Sequence, residues 1–348
     1  MKKALSVLLA LALAVSLTAC GGGDKPAESK TDESQAPAAE STAPAAEEQK
    51  APSGEAVNWN FATGGSTGTY YAYGGVIANV FSEKVPNVKL TVQSTGASKA
   101  NIFSLDDNEA QIGFVQNDVM DYAMKGESLF KEDGAITSFA AVAALYPETC
   151  QIVGAKGLTS VADLKGKNVS VGDAGSGVEF NATQILAAYG IDINKDITKH
   201  NLSFGDSAEA LKDGKIDAFF CVAGAPTTAI TELATTNDIS ILSVDKEHAD
   251  QLKKDFPFYS DITIPANSYK GVDAEVQTVA VKATIICRND LPEDAVYNLV
   301  KGIFDNKDMI AESHAKGKLL DPNYAVEAIS VPFHPGAEKY FKEIGVMK

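Results

Sequence analysis

Thr63-Gly64-Gly65-Ser66-Thr67-Gly68-Thr69-Tyr70-Tyr71-Ala72-Tyr73-Gly74-Gly75 is the stretch whose reading decides the fold. A strand-like run precedes it, 57–62, with Trp59 and Phe61. After it, Tyr73, Val76, Ile77, Val80 and Phe81 fall at the spacing of an amphipathic helix stripe. The stretch is therefore a glycine-rich turn from strand to helix. Free N–H groups at a helix start, backed by the positive end of its dipole, favour an anion. A plain turn in which Thr69 or Ser66 only caps the helix is the competing reading.

Working outward, the same unit recurs. Ser94-Thr95-Gly96-Ala97-Ser98-Lys99-Ala100-Asn101 is a second hydroxyl-rich turn into a helix, and Gln116-Asn117-Asp118 a third, with Asp118 expected as the cap. Gly175-Ser176-Gly177-Val178-Glu179 is a fourth, in which Ser176 and Glu179 match the capping box. Capping and ligand contact are compatible there, so both readings of Ser176 and Glu179 stay open. Gly224-Ala225-Pro226 ends a buried strand, and Pro226 is expected at the first position of a helix.

Strands alternate with helices along the whole body, which predicts an α/β fold with parallel strands and helices on both faces. Residues 55–348 are too many for one ordinary core. The segments Leu145-Tyr146-Pro147-Glu148 and 265–271 read as irregular polar crossings. They divide the body into a discontinuous lobe, 55–146 plus 271–348, and a middle lobe, 147–270. A ligand in such sheets sits beyond the carboxyl ends of the strands. Two facing lobes would enclose it in a central cleft.

The N-terminus reads differently. Met1-Lys2-Lys3 and a short apolar run ending Leu17-Thr18-Ala19-Cys20 form a secretory signal, 1–19, too short to span a bilayer. Cys20 after Leu-Thr-Ala resembles a bacterial lipobox, which makes Cys20 the lipidated residue. The segment 20–54 is rich in Ala, Pro, Glu, Ser and Thr and cannot bury enough apolar surface to fold, so it is expected to be a tether. A net charge of −16 argues against nucleic acid and against an anionic membrane surface as partners. Cys150, Cys221 and Cys287 lie in apolar runs without metal spacing and read as buried small hydrophobes.

Chemistry-bearing motifs are sparse. Arg288 is the only arginine, so a bidentate guanidinium clamp on a carboxylate is not expected. The four histidines are dispersed, and the sequence has no nucleophile elbow and no phosphate-binding P-loop. No cofactor and no metal are expected. The turns describe a polar, uncharged cradle made of hydroxyls, amides and helix starts.

Taken in order, Thr63 to Gly75, Thr95 to Ile102, Asp163-Leu164-Lys165-Gly166-Lys167, Gly175 to Glu179, Asp217-Ala218-Phe219-Phe220, Tyr269-Lys270-Gly271 and His334-Pro335-Gly336-Ala337 resemble the TAXI solute receptors of tripartite ATP-independent periplasmic (TRAP) transporters. The resemblance covers the body from about residue 57 onward. It implies a type II periplasmic-binding-protein fold and a small ligand such as glutamate, glutamine or a related acid, passed to a TRAP permease driven by an ion gradient. It implies a cleft lined by Ser66, Thr69, Tyr70, Thr95, Ser98, Asn101 and Gln116 from one lobe, and by Ser176, Gly177, Glu179, Gly224 and Pro226 from the other. Val178 stands where the family has Thr, and Ala72 where Pro is common. The expected protein is a non-enzymatic, monomeric, extracytoplasmic lipoprotein. The alternatives are the binding component of an ABC importer, a secreted enzyme on the same fold, and a tethered surface antigen.

Overall fold

The computed structural model describes residues 56–85 and 87–348. The expected signal peptide, Cys20 and the tether lie outside the described residues. In chain order the body begins β1 (Val57–Ala62), α1 (Thr69–Lys84), β2 (Val88–Gln93), α2 (Ser98–Asp106), β3 (Ile112–Gln116), α3 (Asn117–Lys125) and β4 (Phe139–Ala155). It continues with β5 (Asn168–Ser170), α4 (Gly177–Ala188), β6 (Thr198–His200), α5 (Phe204–Lys212), β7 (Ala218–Ala223), α6 (Thr228–Thr236), β8 (Ile239–Leu242), α7 (Lys246–Asp255) and β9 (Ser260–Ile264). β10 (Val276–Arg288), α8 (Glu293–Asp305), α9 (Lys307–Ser313), α10 (Pro322–Val326) and α11 (Pro335–Glu343) complete it. Short 3-10 turns cover Ser128–Phe130, Val161–Leu164 and Ala315–Leu319.

The strands form one sheet in the order β2-β1-β3-β10-β4-β7-β5-β6, with β8 on β4 and β9 on β10. β1 pairs in parallel with β2 and β3, and β5 with β6 and β7. β4 and β10 run antiparallel to each other and to their outer neighbours β7 and β3. The expectation of wholly parallel strands is thus corrected. Two long antiparallel strands run through the centre, where the alternating pattern sees only further apolar runs.

The centre also corrects the reading of Leu145-Tyr146-Pro147-Glu148 as an irregular crossing: all four residues lie within β4. Pro147 is tolerated there because β4 bulges against β10, the register shifting between Ala283 and Thr284. One core packs α1, α8 and α11 on β1, β3 and β10, through Phe61, Tyr73, Phe81, Phe114, Ile285 and Phe341. A second packs α4 and α7 on β5, β7 and the first half of β10, through Val169, Ile185, Phe220, Leu252, Val279 and Val281. β4 contributes to both, with Leu145 in the first and Ile152 in the second. The α/β body is a type II periplasmic-binding-protein arrangement: two sets of strands joined by a long central pair.

Cys150, Cys221 and Cys287 are free and buried, as read from the sequence. No described helix is long and apolar enough to cross a membrane.

Candidate functional site

Four helices start at one place. The turn after β1 delivers Gly64, Gly65, Gly68, Thr69 and Tyr70, and the turn into α2 delivers Ala97 and Ser98. The end of β3 brings Gln116, and the start of α4 brings Ser176, Gly177 and Val178. These residues line a partly open cavity of about 40 Å³, completed by Glu148, Asp173, Phe204, Val222 and Ala223. One water needs ~10–15 Å³ in this measure, so the space holds a handful of heavy atoms.

Helix starts supply the cavity's electrostatics. α1 and α2 carry no side-chain cap, and their first residues line the cavity, so their positive ends lie at it. The competing reading, a cap from Thr69 or Ser66, is not met, and the cap expected of Asp118 is not made. Gly68 and Gln116 occupy those cap positions, because the hydroxyl of Thr69 is committed elsewhere: it donates to Gly224 O at 3.2 Å and accepts from Gly224 N–H at 3.1 Å. In α4 the expected capping box is half formed. Ser176 Oγ accepts from Glu179 N–H at 3.4 Å, whereas the Glu179 carboxylate accepts from Gly175 N–H at 2.6 Å and pairs with Lys199 at 2.8 Å.

Glycines serve here by leaving room. A Cβ on Gly177 would lie 2.1 Å from Gln116 Oε1, so the start of α4 seats directly on that carboxamide. The strained backbone falls instead on Ala97, at φ 65° and ψ −143°, in the cap position of α2.

The cavity also holds ionisable side chains. Glu148, 2% exposed, stands at the midpoint of β4 and accepts from Tyr70 Oη at 2.7 Å. Burial raises its carboxyl to about 8, with Asp118 adding to the rise, although the Tyr70 hydrogen bond opposes it. Asp118 itself, buried in the first turn of α3, is pushed to about 7 by the same desolvation. Lys316, from the C-terminal segment, acts on Glu148 from outside the cavity lining; its Nζ donates to Ala225 O at 2.6 Å, and burial lowers its pKa. Below the cavity, α4 docks on α3. Asn181 Nδ2 donates to Asp118 Oδ2 at 3.1 Å, and Phe180 stacks on Tyr122 at 5.6 Å.

Of the residues anticipated for ligand contact, Thr69, Tyr70, Ser98, Gln116, Ser176 and Gly177 line the cavity. Ser66 and Thr95 line an adjoining groove with Ser203 and Asp206. Asn101 does not reach the cavity wall. Its Nδ2 donates to Thr63 O and Phe114 O, each at 2.7 Å, and its Oδ1 accepts from Thr95 Oγ1 at 2.6 Å, which ties the first two turns to β3. Gly224 lies one residue beyond the lining, bonded to Thr69. Pro226 follows a cis peptide bond, is exposed, and precedes α6, which starts at Thr228. The expectation that Pro226 opens a helix is corrected: Tyr269 Oη takes the Thr227 N–H at 2.8 Å and holds this segment as a loop.

Sequence reasoning missed Glu148, Asp173, Phe204 and Lys316. A carboxylate inside the apolar run 139–155 was the available signal for Glu148. The other three come from segments whose approach only folding creates. Among the described residues, no cluster of His, Cys, Asp or Glu could hold a metal ion.

The chain belongs to the NMT1-like family, matched over residues 61–345. Among solved structures it is similar to a protein of Bordetella bronchiseptica RB50, at 16% identity and a TM-score of 0.50, covering 84% of this chain and 89% of that one. It is also similar to the ligand-binding component of an ABC-type import system from Staphylococcus aureus, solved with zinc bound, at 13% identity and a TM-score of 0.47 over 83% of this chain and 92% of that one. The GluR0 ligand-binding core of Nostoc punctiforme, in complex with L-glutamate, aligns at 14% identity with a TM-score of 0.46, over 74% and 98% of the two chains.

Proposed function

We propose that this member of the NMT1-like family is an extracytoplasmic solute-binding protein. It takes a small carboxylate or amino acid of the glutamate or glutamine kind into the cavity and delivers it to a membrane importer. The observation that carries this reading is the meeting of the uncapped starts of α1 and α2 with the start of α4 at one cavity that a buried carboxyl also lines. Uncapped helix starts stabilise a carboxylate without an arginine. The lining contains no histidine or cysteine to act as base or nucleophile, which favours capture over conversion.

The two halves meet along β4 and β10. The division read from the sequence, 55–146 plus 271–348 against 147–270, is kept in this proposal except that its second boundary moves from 270 into β10, since Val276, Val279 and Val281 pack with the middle half. Thr69 with Gly224, Lys316 with Ala225, and Gln116 against Gly177 are then contacts made on closure. A cavity of about 40 Å³ admits a larger solute only when these contacts part.

For the translocator we adopt an ABC-type importer, the role borne by the Staphylococcus aureus relative in fold. A TRAP permease is the second reading, carried by the ordered motif set that resembles TAXI receptors. Lipidation at Cys20 would hold the protein at the outer face of the cell membrane, as a monomer on its tether.

Binding should raise the melting temperature by linkage, about 2.7 kcal/mol of added stability at a hundredfold excess over Kd. A thermal-shift screen of amino acids and dicarboxylates, followed by calorimetry, tests the reading. No shift with any of them at millimolar concentration removes it. Uptake that survives collapse of the ion gradient but stops on ATP depletion supports the ABC importer, and the opposite pattern supports the TRAP permease.

A further inference from the structure

The cavity combines two features that a plain carboxylate would not satisfy together. Ser98 and Ser176 place hydroxyls on the cavity, and α1 and α2 start there without side-chain caps, so their ends are positive. Against them stands Glu148, almost wholly buried, with Oε2 held by Tyr70. Beside it, Gln116, 2% exposed, lines the same cavity, and its Oε1 has no hydrogen-bond partner. Glu148 and the partnerless Gln116 Oε1, which packs against the start of α4 at Gly177, thus stand at a space that the Asp173 carboxyl also lines, the remaining polar lining being hydroxyls and helix starts. A buried acceptor without a partner costs free energy, and a built site supplies that partner with its ligand.

Resting on the solute-receptor reading, we infer that Glu148 and Gln116 Oε1 form an ammonium subsite, so that the solute is a carboxylate bearing a primary amine. Its carboxylate lies at the helix starts and its NH3+ on Glu148 and the Gln116 oxygen. The other titratable groups facing Glu148 are Tyr70 from α1, Tyr146 and Cys150 from β4, Cys221 from β7, Asp118 from α3, Lys316 and Tyr324. Lys316 is the one cation among them. It is occupied by Ala225 O and does not line the cavity, so the second half of a zwitterion must come from the ligand.

Charge balance gives the inference its signature. Below about pH 8 the free Glu148 carboxyl holds a proton. An incoming ammonium ionises it, and that proton leaves to solvent. A plain carboxylate binding to neutral Glu148 releases none.

The experiment is calorimetry on the full mature protein at pH 7, in phosphate and in Tris, whose ionisation enthalpies differ. The probes are L-alanine, L-glutamine and L-glutamate, against propionate and glutarate. The expected result is binding of at least one amino acid, ~10-fold or more tighter than its deaminated counterpart, with release of close to one proton per site. Glu148→Gln should bring the two affinities together and abolish proton release. Deaminated acids binding as tightly as amino acids, or amino acids binding without proton release, overturns the inference while leaving a solute receptor. Binding of neither series removes the receptor reading and this inference with it. The proton count on the unaltered protein decides the matter even where Glu148→Gln fails to fold.

Discussion

Gly177→Ala probes the closed cavity through a single methyl group. Gly177 lies outside the left-handed backbone region and opens α4. Its own backbone therefore accepts alanine, which is the better helix former. The obstacle is on the opposite wall, where the new Cβ would stand 2.1 Å from Gln116 Oε1 and 2.3 Å from its Cδ. Carbon contacts are optimal near ~3.5 Å, so the two must separate by about 1 Å. Gln116 cannot yield freely, being buried, and turning it inward would fill the cavity. Overpacking of this kind costs about 1–3 kcal/mol, which at ~1.4 kcal/mol per tenfold becomes about 5- to 150-fold weaker binding.

On the proposed closure the cost belongs to the closed form alone, which predicts that the ligand-free melting temperature moves by no more than about 2 °C. Isothermal calorimetry on a ligand from the screen, with thermal denaturation of the ligand-free protein, measures both quantities. Removing the carboxamide should relieve the clash, so that Gly177→Ala adds nothing to Gln116→Ala in a double-mutant cycle. An unchanged Kd, or a loss of ligand-free stability matching the loss of binding, would refute the closure argument.

Other expectations follow from the same cluster. Glu148 and Asp118 are raised to about 8 and about 7, so the folded state holds more protons than the unfolded one above pH ~4. Their contribution is complete below that pH and is lost as pH rises through 7 and 8. His314 and His334, lowered by burial, act oppositely on the acid side, so the test is the difference in unfolding free energy between the wild type and Glu148→Gln across pH 5–9. That difference should change by about 1.4 kcal/mol per pH unit up to pH 8, and a flat difference contradicts the assignment. Tyr70→Phe keeps the ring stacked on Phe114 at 4.7 Å but removes the donor to Glu148, costing about 1–3 kcal/mol by urea denaturation. Asn101→Ala strands the carbonyls of Thr63 and Phe114 and should lower stability by about 2–4 kcal/mol. Lys199→Ala breaks a partly exposed pair with Glu179, and a loss above ~1 kcal/mol would show that pair to matter more than its exposure implies.

What the amino-acid sequence determined by itself was local. The βα alternation, the four glycine- and hydroxyl-rich turns and the buried cysteines are written in spacings of a few residues, where backbone sterics and burial act directly. Thr69, Ser98 and Ser176 were legible as site residues because each sits at a helix start. Asn101 is also polar and close to a helix start, yet three residues along α2 its carboxamide points at the carbonyls of Thr63 and Phe114. Tertiary structure decided the direction of β4 and β10, which depends on which strands become neighbours over more than a hundred residues. It also decided the charge of the site. Glu148 reads as an anomaly inside an apolar strand until Tyr70, Gln116 and Asp118 are packed around it, and only that desolvation makes a surface acid into a neutral, proton-holding group.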